Sequence, residues 1–346
     1  MRFKKRYVLR ALLVLICIGM VVIAGIASKH YYHLKINNFS SFDQKEHTYN
    51  IYPGTTIDDV LTMMEADYDI GSHQDFLLPA RLMHFNYPEP GHYTFESRLG
   101  NRELIERLRL GKQTPVNITW NNTVFTREML AARVTNNIMM DSVTLLKYLE
   151  DDSFLKQYGM NKETSRCLFI PNTYEVYWTI TPEQLFARMA KEYNDFWNEE
   201  RRAKAEEIGL TPVEVAIIAS IVEGETYRKS DMPLIASLYL NRVKKGMPLQ
   251  ACPTIKYAVG DFTLKRILYR HLEVESPYNT YKNVGLPPGP IRCPNPQTMD
   301  FVLNAPKTNY LYMCADPSLN GKHIFSSTFS THAAAAAKYH DMMDSL

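Results

Sequence analysis

Thr211 to Arg228 reads TPVEVAIIASIVEGETYR, and the rest of the chain is organised around it. Thr211 with Glu214 three residues on is a capping box, and Pro212 occupies the first helical position, where a missing N–H costs nothing. The pattern predicts a helix starting here. From Val215 to Val222 the only polar side chain is Ser220, so this helix is buried on nearly all sides. Two acids, Glu223 and Glu225, then stand at its C-terminal end, where the helix dipole opposes their charge. Glu225 continues the large aliphatic stripe of Ile218, Ile221 and Val222, whereas Glu223 follows the small-residue face of Ala216, Ala219 and Ser220. A half-desolvated Glu225 at a helix C-terminus has a raised pKa, which is what a general acid needs near neutral pH. A solvated pair of glutamates bonded to Arg228 or Lys229 fits the same pattern.

Outward from this helix, 346 residues correspond to about two domains. A net charge of +2 gives no support to nucleic acid as a partner. Aromatic content is 12% with 22 tyrosines, more than a core alone requires and suited to clefts for sugars or peptides. The opening MRFKKRYVLR is basic, and Ala11 to Ala27 is an unbroken apolar run, about 26 Å long as a helix. It reads as an uncleaved anchor rather than a signal peptide, with the basic flank cytoplasmic and everything after Ser28 on the far side of the membrane. Cys17 falls inside the span, leaving Cys167, Cys252, Cys293 and Cys314 outside it, where three pairings or four free thiols are open. No Cys/His spacing points to zinc.

His30 to about Glu46 lacks an apolar period and reads as a stalk. Thr48 to Tyr52 alternates like a strand, Pro53-Gly54 turns, and Thr55 or Thr56 caps a helix carrying Ile57, Val60, Leu61 and Met64. Gly91 to Phe95 and a helix capped by Asn101 repeat that grammar, stopped by Gly111. Strand, turn and helix at this size resemble LysM-like modules, which hold glycan chains in a shallow groove; a spacer would read the same. Val116 to Trp120 and a Thr126-capped helix follow. The expected organisation is thus an anchor over 1–28, a stalk over 29–45, a LysM-like module over 46–115 and a catalytic domain over 116–346, an α+β protein with a cleft.

Thr181 opens a helix through Phe186, Met189 and Tyr193, and Ser230 or Asp231 opens one through Ile235, Leu238, Tyr239 and Val243, closed by Gly246. Beyond Met247 the chain becomes long proline-stiffened loops carrying Gln250, Thr254, Tyr257, Tyr278, Asn279 and Tyr281, whose flat faces and hydrogen-bonding groups suit a groove for sugars and amides. Tyr310 to Cys314 and His323 to Ser326 read as paired strands, ahead of a five-alanine helix. His323 on its strand fits a packed residue at least as well as a catalytic one.

Taken in order, ASIVEGET (219–226), LNRVKKGMPLQ (240–250), PTIKYAVG (253–260), SPYNTY (276–281), GLPPGPI (285–291) and HIFSSTFSTH (323–332), behind an anchor and a LysM-like stretch, resemble the YceG-like endolytic murein transglycosylases. The resemblance implies cleavage within peptidoglycan glycan strands at the MurNAc-GlcNAc bond, at a bacterial cytoplasmic membrane, with cell-wall synthases as candidate partners and no cofactor. It implies one catalytic acid, Glu225, acting on a strand whose own primary hydroxyl closes an anhydro ring, where ordinary glycosidases flank the bond with two carboxylates. Glu223, Gln250, Thr254, Tyr257, Tyr278, Asn279 and Tyr281 are then the substrate-binding candidates, Glu223 as a brace for the loop or for Glu225. A muramidase that uses water and a non-catalytic glycan-binding scaffold stay open as alternatives. Members of that family usually have glycine and aspartate where this chain has Cys167 and Cys252, which implies a disulfide between them and a second between Cys293 and Cys314.

Overall fold

The computed structural model describes residues 2–264, 266–318 and 321–344. It divides into two compact units, one of residues 1–116 with 175–179, the other of residues 117–174 with 180–346.

The first unit begins with helix α1 (Arg2–Lys35), whose Leu12–Lys35 stretch is long and apolar enough to cross a membrane. Strands β1 (Asn37–Ser41), β2 (His47–Ile51), β3 (Tyr68–Ile70), β4 (Gly91–Phe95) and β5 (Arg98–Gly100) alternate with helices α2 (Ile57–Met64), α3 (His73–Leu82) and α4 (Asn101–Arg109). Two antiparallel sheets result, one in the order β3-β1-β5 and the other pairing β2 with β4 so that His47 faces Phe95 and Ile51 faces Gly91. The apolar faces of α2 and α4 close on them, burying Phe39, Ile51, Leu61, Tyr68, Phe76, Phe95 and Leu104 in one core. Helix α2 starts where the capping grammar places it, Thr56 and Asp59 forming a reciprocal box.

The stretch expected to be a stalk is largely ordered structure. Helix α1 runs to Lys35, and β1 is the central strand of the three-stranded sheet, with Phe39 fully buried edge-on to Phe76. Its polarity misleads because Asn38 is buried with its amide satisfied, donating to Ser72 O at 2.7 Å and accepting from Ser72 N–H at 2.9 Å. Asn101 likewise opens α4 without capping it: Gly100 takes that place, and the Asn101 amide instead donates to His33 O and Asp75 O, joining α1 to α3 and α4.

In the second unit β6 (Val116–Thr119, its first residue in the first unit) leads to α5 (Arg127–Thr135), capped by Thr126, then α6 (Ser142–Glu150) and the single turn α7 (Asp152–Leu155). After β7 (Thr173–Val176, its last two residues in the first unit) come α8 (Pro182–Phe196), α9 (Glu199–Glu207), α10 (Pro212–Glu225), α11 (Met232–Lys244), α12 (Cys252–Val259), the short α13 (Tyr269–Leu272) and α14 (Pro296–Leu303). A hairpin of β8 (Tyr312–Ala315) and β9 (His323–Ser326) precedes α15 (Phe329–Asp344). Helix α10 is the axis, packed by α9, α11, α12 and α14, and every residue from Val215 to Glu223 is buried. Helix α12 lies where the sequence reads as loop. Pro253 in its first turn and Gly260 at φ +77° after its last frame eight residues, too few for an apolar period to show.

Candidate active site

Helix α10 delivers Glu225 to its position by two local devices. At its start the Thr211 N–H donates to Glu214 Oε2 at 2.7 Å and Glu214 N–H to Thr211 Oγ1 at 3.3 Å, which fixes where the helix begins. At its end Thr226 turns to extended backbone (φ −152°, ψ 149°), so Glu225 is the last helical residue. Between the two glutamates, Gly224 lets α12 approach. A Cβ there would stand 2.4 Å from Pro253 Cβ, so this crossing accepts glycine alone, and it brings Cys252 beside Glu225.

The Glu225 carboxyl is half-buried, and Oε1 accepts a 2.6 Å hydrogen bond from the Tyr239 hydroxyl on α11. Burial pushes its pKa up to about 7, while the Tyr239 hydrogen bond and the Arg242 charge pull it down. Burial also holds Tyr239 well above its ordinary range, so it stays a neutral donor. Arg242, one turn further along α11, donates through Nε to Leu311 O at 2.7 Å and through Nη1 to Leu249 O at 2.8 Å, tying the β8 approach and the Pro248 loop to the helix.

Two cavities, of about 480 and 330 Å³, adjoin Glu225. Glu225 and Cys252 line both, and Glu225 is the sole carboxylate on either lining among the described residues. The larger is walled by Phe125, Tyr257 and Phe262, the smaller by Tyr239, Gln250, Tyr281, Tyr312 and His332. Aromatic rings line both cavities beside a half-buried acid, an arrangement suited to a saccharide with its linkage oxygen at the carboxyl.

The sequence-based candidates separate here. Gln250, Tyr257 and Tyr281 line the cavities, Gln250 with a left-handed backbone at φ +52° and its Oε1 accepting from Arg242. Thr254, Asn279 and Tyr278 do not, which corrects their placement in the groove. Thr254 is sealed inside against Ala251 O and Thr280 Oγ1; Asn279 is equally buried, donating to Leu272 O and Val274 O; the Tyr278 hydroxyl donates to Glu163 at 2.8 Å. Polar side chains in a long loop are as useful for satisfying its backbone as for meeting a ligand, and composition does not distinguish the two. Glu223 is 3% exposed, lines neither cavity, and accepts from Asn295 N–H at 2.8 Å; burial raises its pKa as well. Glu223 is therefore the less exposed of the two acids, on the face where small residues let other segments close in. His323 pairs with Asp231 at 3.1 Å, away from both cavities.

The expected disulfides are absent: the four cysteines are free. Cys252 is exposed with Sγ 3.3 Å from the Tyr281 hydroxyl, whereas Cys167 and Cys293 are buried. Desolvation pushes both buried thiols up to about 12, and Cys314 sits part-exposed on β8. Tyr239, Arg242, Phe125, Arg292, Tyr312 and His332 escaped the sequence reading. Only Tyr239 and Arg242, three apart on one face of a helix, left any signal; the others arrive from separate segments.

Residues 49–338 match the model of the YceG-like family. The chain is similar to the endolytic murein transglycosylase of Bacillus subtilis (strain 168), 29% identical over 308 residues that cover 84% of this chain and 84% of that one. It is similar to the endolytic murein transglycosylase of Streptococcus pneumoniae serotype 2 (strain D39 / NCTC 7466), 26% identical over 326 residues, which cover 84% of this chain and 58% of that longer protein. Among solved structures, a yceG-like protein from Listeria monocytogenes superposes with a TM-score of 0.55 at 27% identity, over 84% of this chain and 98% of that one.

Proposed function

The chain belongs to the YceG-like family, and from that premise we infer that it is an endolytic murein transglycosylase, a lyase that cuts within peptidoglycan strands at the MurNAc-GlcNAc bond and leaves anhydro-muramoyl ends. The observation that carries the reading is Glu225: one carboxyl, with a pKa about 7, beside two ring-lined cavities that offer no other carboxylate among the described residues. A two-carboxylate glycosidase has no second group to use there. Glu225 protonates the glycosidic oxygen as the bond to the muramoyl C1 breaks, and the carboxylate left behind is stabilised by the Tyr239 hydrogen bond and the Arg242 charge. The muramoyl C6 hydroxyl then closes on C1 and returns its proton to Glu225, so no water is consumed and the acid is regenerated. Gln250, Tyr257 and Tyr281 contact the sugars.

Helix α1 is the single-pass anchor, its basic flank cytoplasmic and the remainder extracytoplasmic, and the small unit serves as a LysM-like holder of the strand at the membrane where synthases release it. Cuts made there limit the length of nascent strands. The test is mass spectrometry of products from purified glycan strands incubated with the full chain in detergent micelles. Anhydro ends are expected; reducing ends would make it a muramidase, and binding without fragments a scaffold.

A further inference from the structure

The larger cavity carries a charge that cleavage of a neutral sugar linkage does not require. Lys256 on α12, Arg266 on the following loop and Arg292 beyond the Gly285–Ile291 segment all line it, three cations from three parts of the chain. Among the described residues none of the three makes a salt bridge or a side-chain hydrogen bond. Arg292 is the most committed. Its guanidinium lies 4.8 Å from the Phe125 ring, Phe125 is stacked at 4.5 Å on Phe262, and its Nε is buried without a partner. Two acids outside the lining act on the group at longer range, Glu223 on Arg292 and Asp261 on Lys256. Inside it, Glu225 is neutral when poised to donate a proton. Burial lowers the Arg292 pKa, and a partly desolvated guanidinium held without a matched anion costs folding free energy; an arginine fork fixed by stacking matches a carboxylate in geometry.

Resting on the transglycosylase reading, we propose that this cavity is a carboxylate-binding subsite of the cleft, recognising an acid group carried on the lactyl arm of the muramoyl unit beside the scissile bond, either the free lactyl carboxylate or the carboxylates of a peptide stem attached there. Phe125 and Phe262 supply the sugar-facing wall; Lys256, Arg266 and Arg292 read the charge. The subsite makes the enzyme selective for muramoyl units that present an anion on this side of Glu225.

The experiment uses the full chain in detergent micelles on two pairs of substrates: stem-bearing strands with free or amidated stem carboxylates, and stem-free strands with free or amidated lactyl groups. The readout is kcat/KM for release of anhydro ends. Amidation is expected to lower it about ten- to a hundredfold in the pair that carries the recognised group, which identifies the source. In the surface double variant Lys256→Gln/Arg266→Gln that ratio is expected to fall towards one, with an unchanged melting curve establishing that the variant is folded. Equal cleavage of free and amidated strands by the unaltered protein, or an unchanged ratio in the variant, overturns the subsite while leaving the transglycosylase reading intact. Absence of anhydro ends from every substrate overturns that reading and the subsite with it.

Discussion

Replacing Glu225 by glutamine separates its chemical role from its structural cost. The carboxyl is raised from its ordinary 4.5 to about 7 by burial, a difference of about 3 kcal/mol between its two protonation states; water in the two cavities screens this to about 2–3 kcal/mol. The sign follows from proton binding. Between pH 4.5 and 7 the folded chain holds a proton at Glu225 that the unfolded chain has lost, so this residue's contribution to stability is most favourable below 4.5 and declines as pH rises to about 7, then levels off. Glutamine mimics the protonated form at every pH. The variant is therefore expected to match the unaltered protein near pH 4.5 and to exceed it by about 2–3 kcal/mol at pH 8, roughly 5–10 °C in melting temperature, while losing cleavage altogether. Glu223 titrates equally in both proteins and drops out of the difference. The assay is guanidinium unfolding of both full chains in micelles from pH 4.5 to 8.5, followed by tryptophan fluorescence, alongside anhydro-end release. Parallel stability curves at all pH values would refute the desolvation argument, and near-normal cleavage by the variant would move the catalytic assignment away from Glu225.

Tyr239→Phe removes a hydrogen bond that favours the ionised form of Glu225, so the alkaline limb of the pH–rate profile should move up by about one pH unit, measurable from kcat/KM between pH 5 and 9. Gly224→Ala places a Cβ 2.4 Å from Pro253, and should cost about 1–3 kcal/mol in denaturant unfolding together with most of the activity, because α12 must retreat from Glu225. Thr211→Ala removes half of the capping box and should cost about 1 kcal/mol with little change in kcat, seen by the same unfolding assay. In the native protein a maleimide should modify Cys252 and abolish cleavage, with glycan strands slowing the reaction, while Cys167 and Cys293 react only after unfolding; mass mapping of the labelled peptides checks this.

Several features followed from neighbours in sequence. Thr211, Pro212 and Glu214 start α10 because a capping box needs only residues three apart, and the run from Val215 to Val222 buries it because no polar face exists to leave in water. The same local logic placed Thr126 and Thr181 at helix starts, narrowed the start of α2 to Thr55 or Thr56, of which Thr56 is the cap, and paired β8 with β9. It failed where a polar residue is buried by partners the local pattern does not show: Asn38 conceals a core strand because Ser72 satisfies its amide, Asn279 is consumed by its own loop, and Thr254 is held on α12 by Ala251 and Thr280.

Read alone, the chain determined that an acid would stand at the end of a buried rod and that stiff aromatic loops would lie near it, since both are consequences of periodicity and composition over short spans. The environment of that acid was decided by the tertiary structure. Tyr239 reaches Glu225 from the next helix, Pro253 closes on Gly224 from the one after, and Tyr312 with His332 arrive from the far end of the chain. A pKa about 7 arises from the sum of those approaches, because desolvation counts every atom that displaces water and is indifferent to where in the sequence that atom belongs.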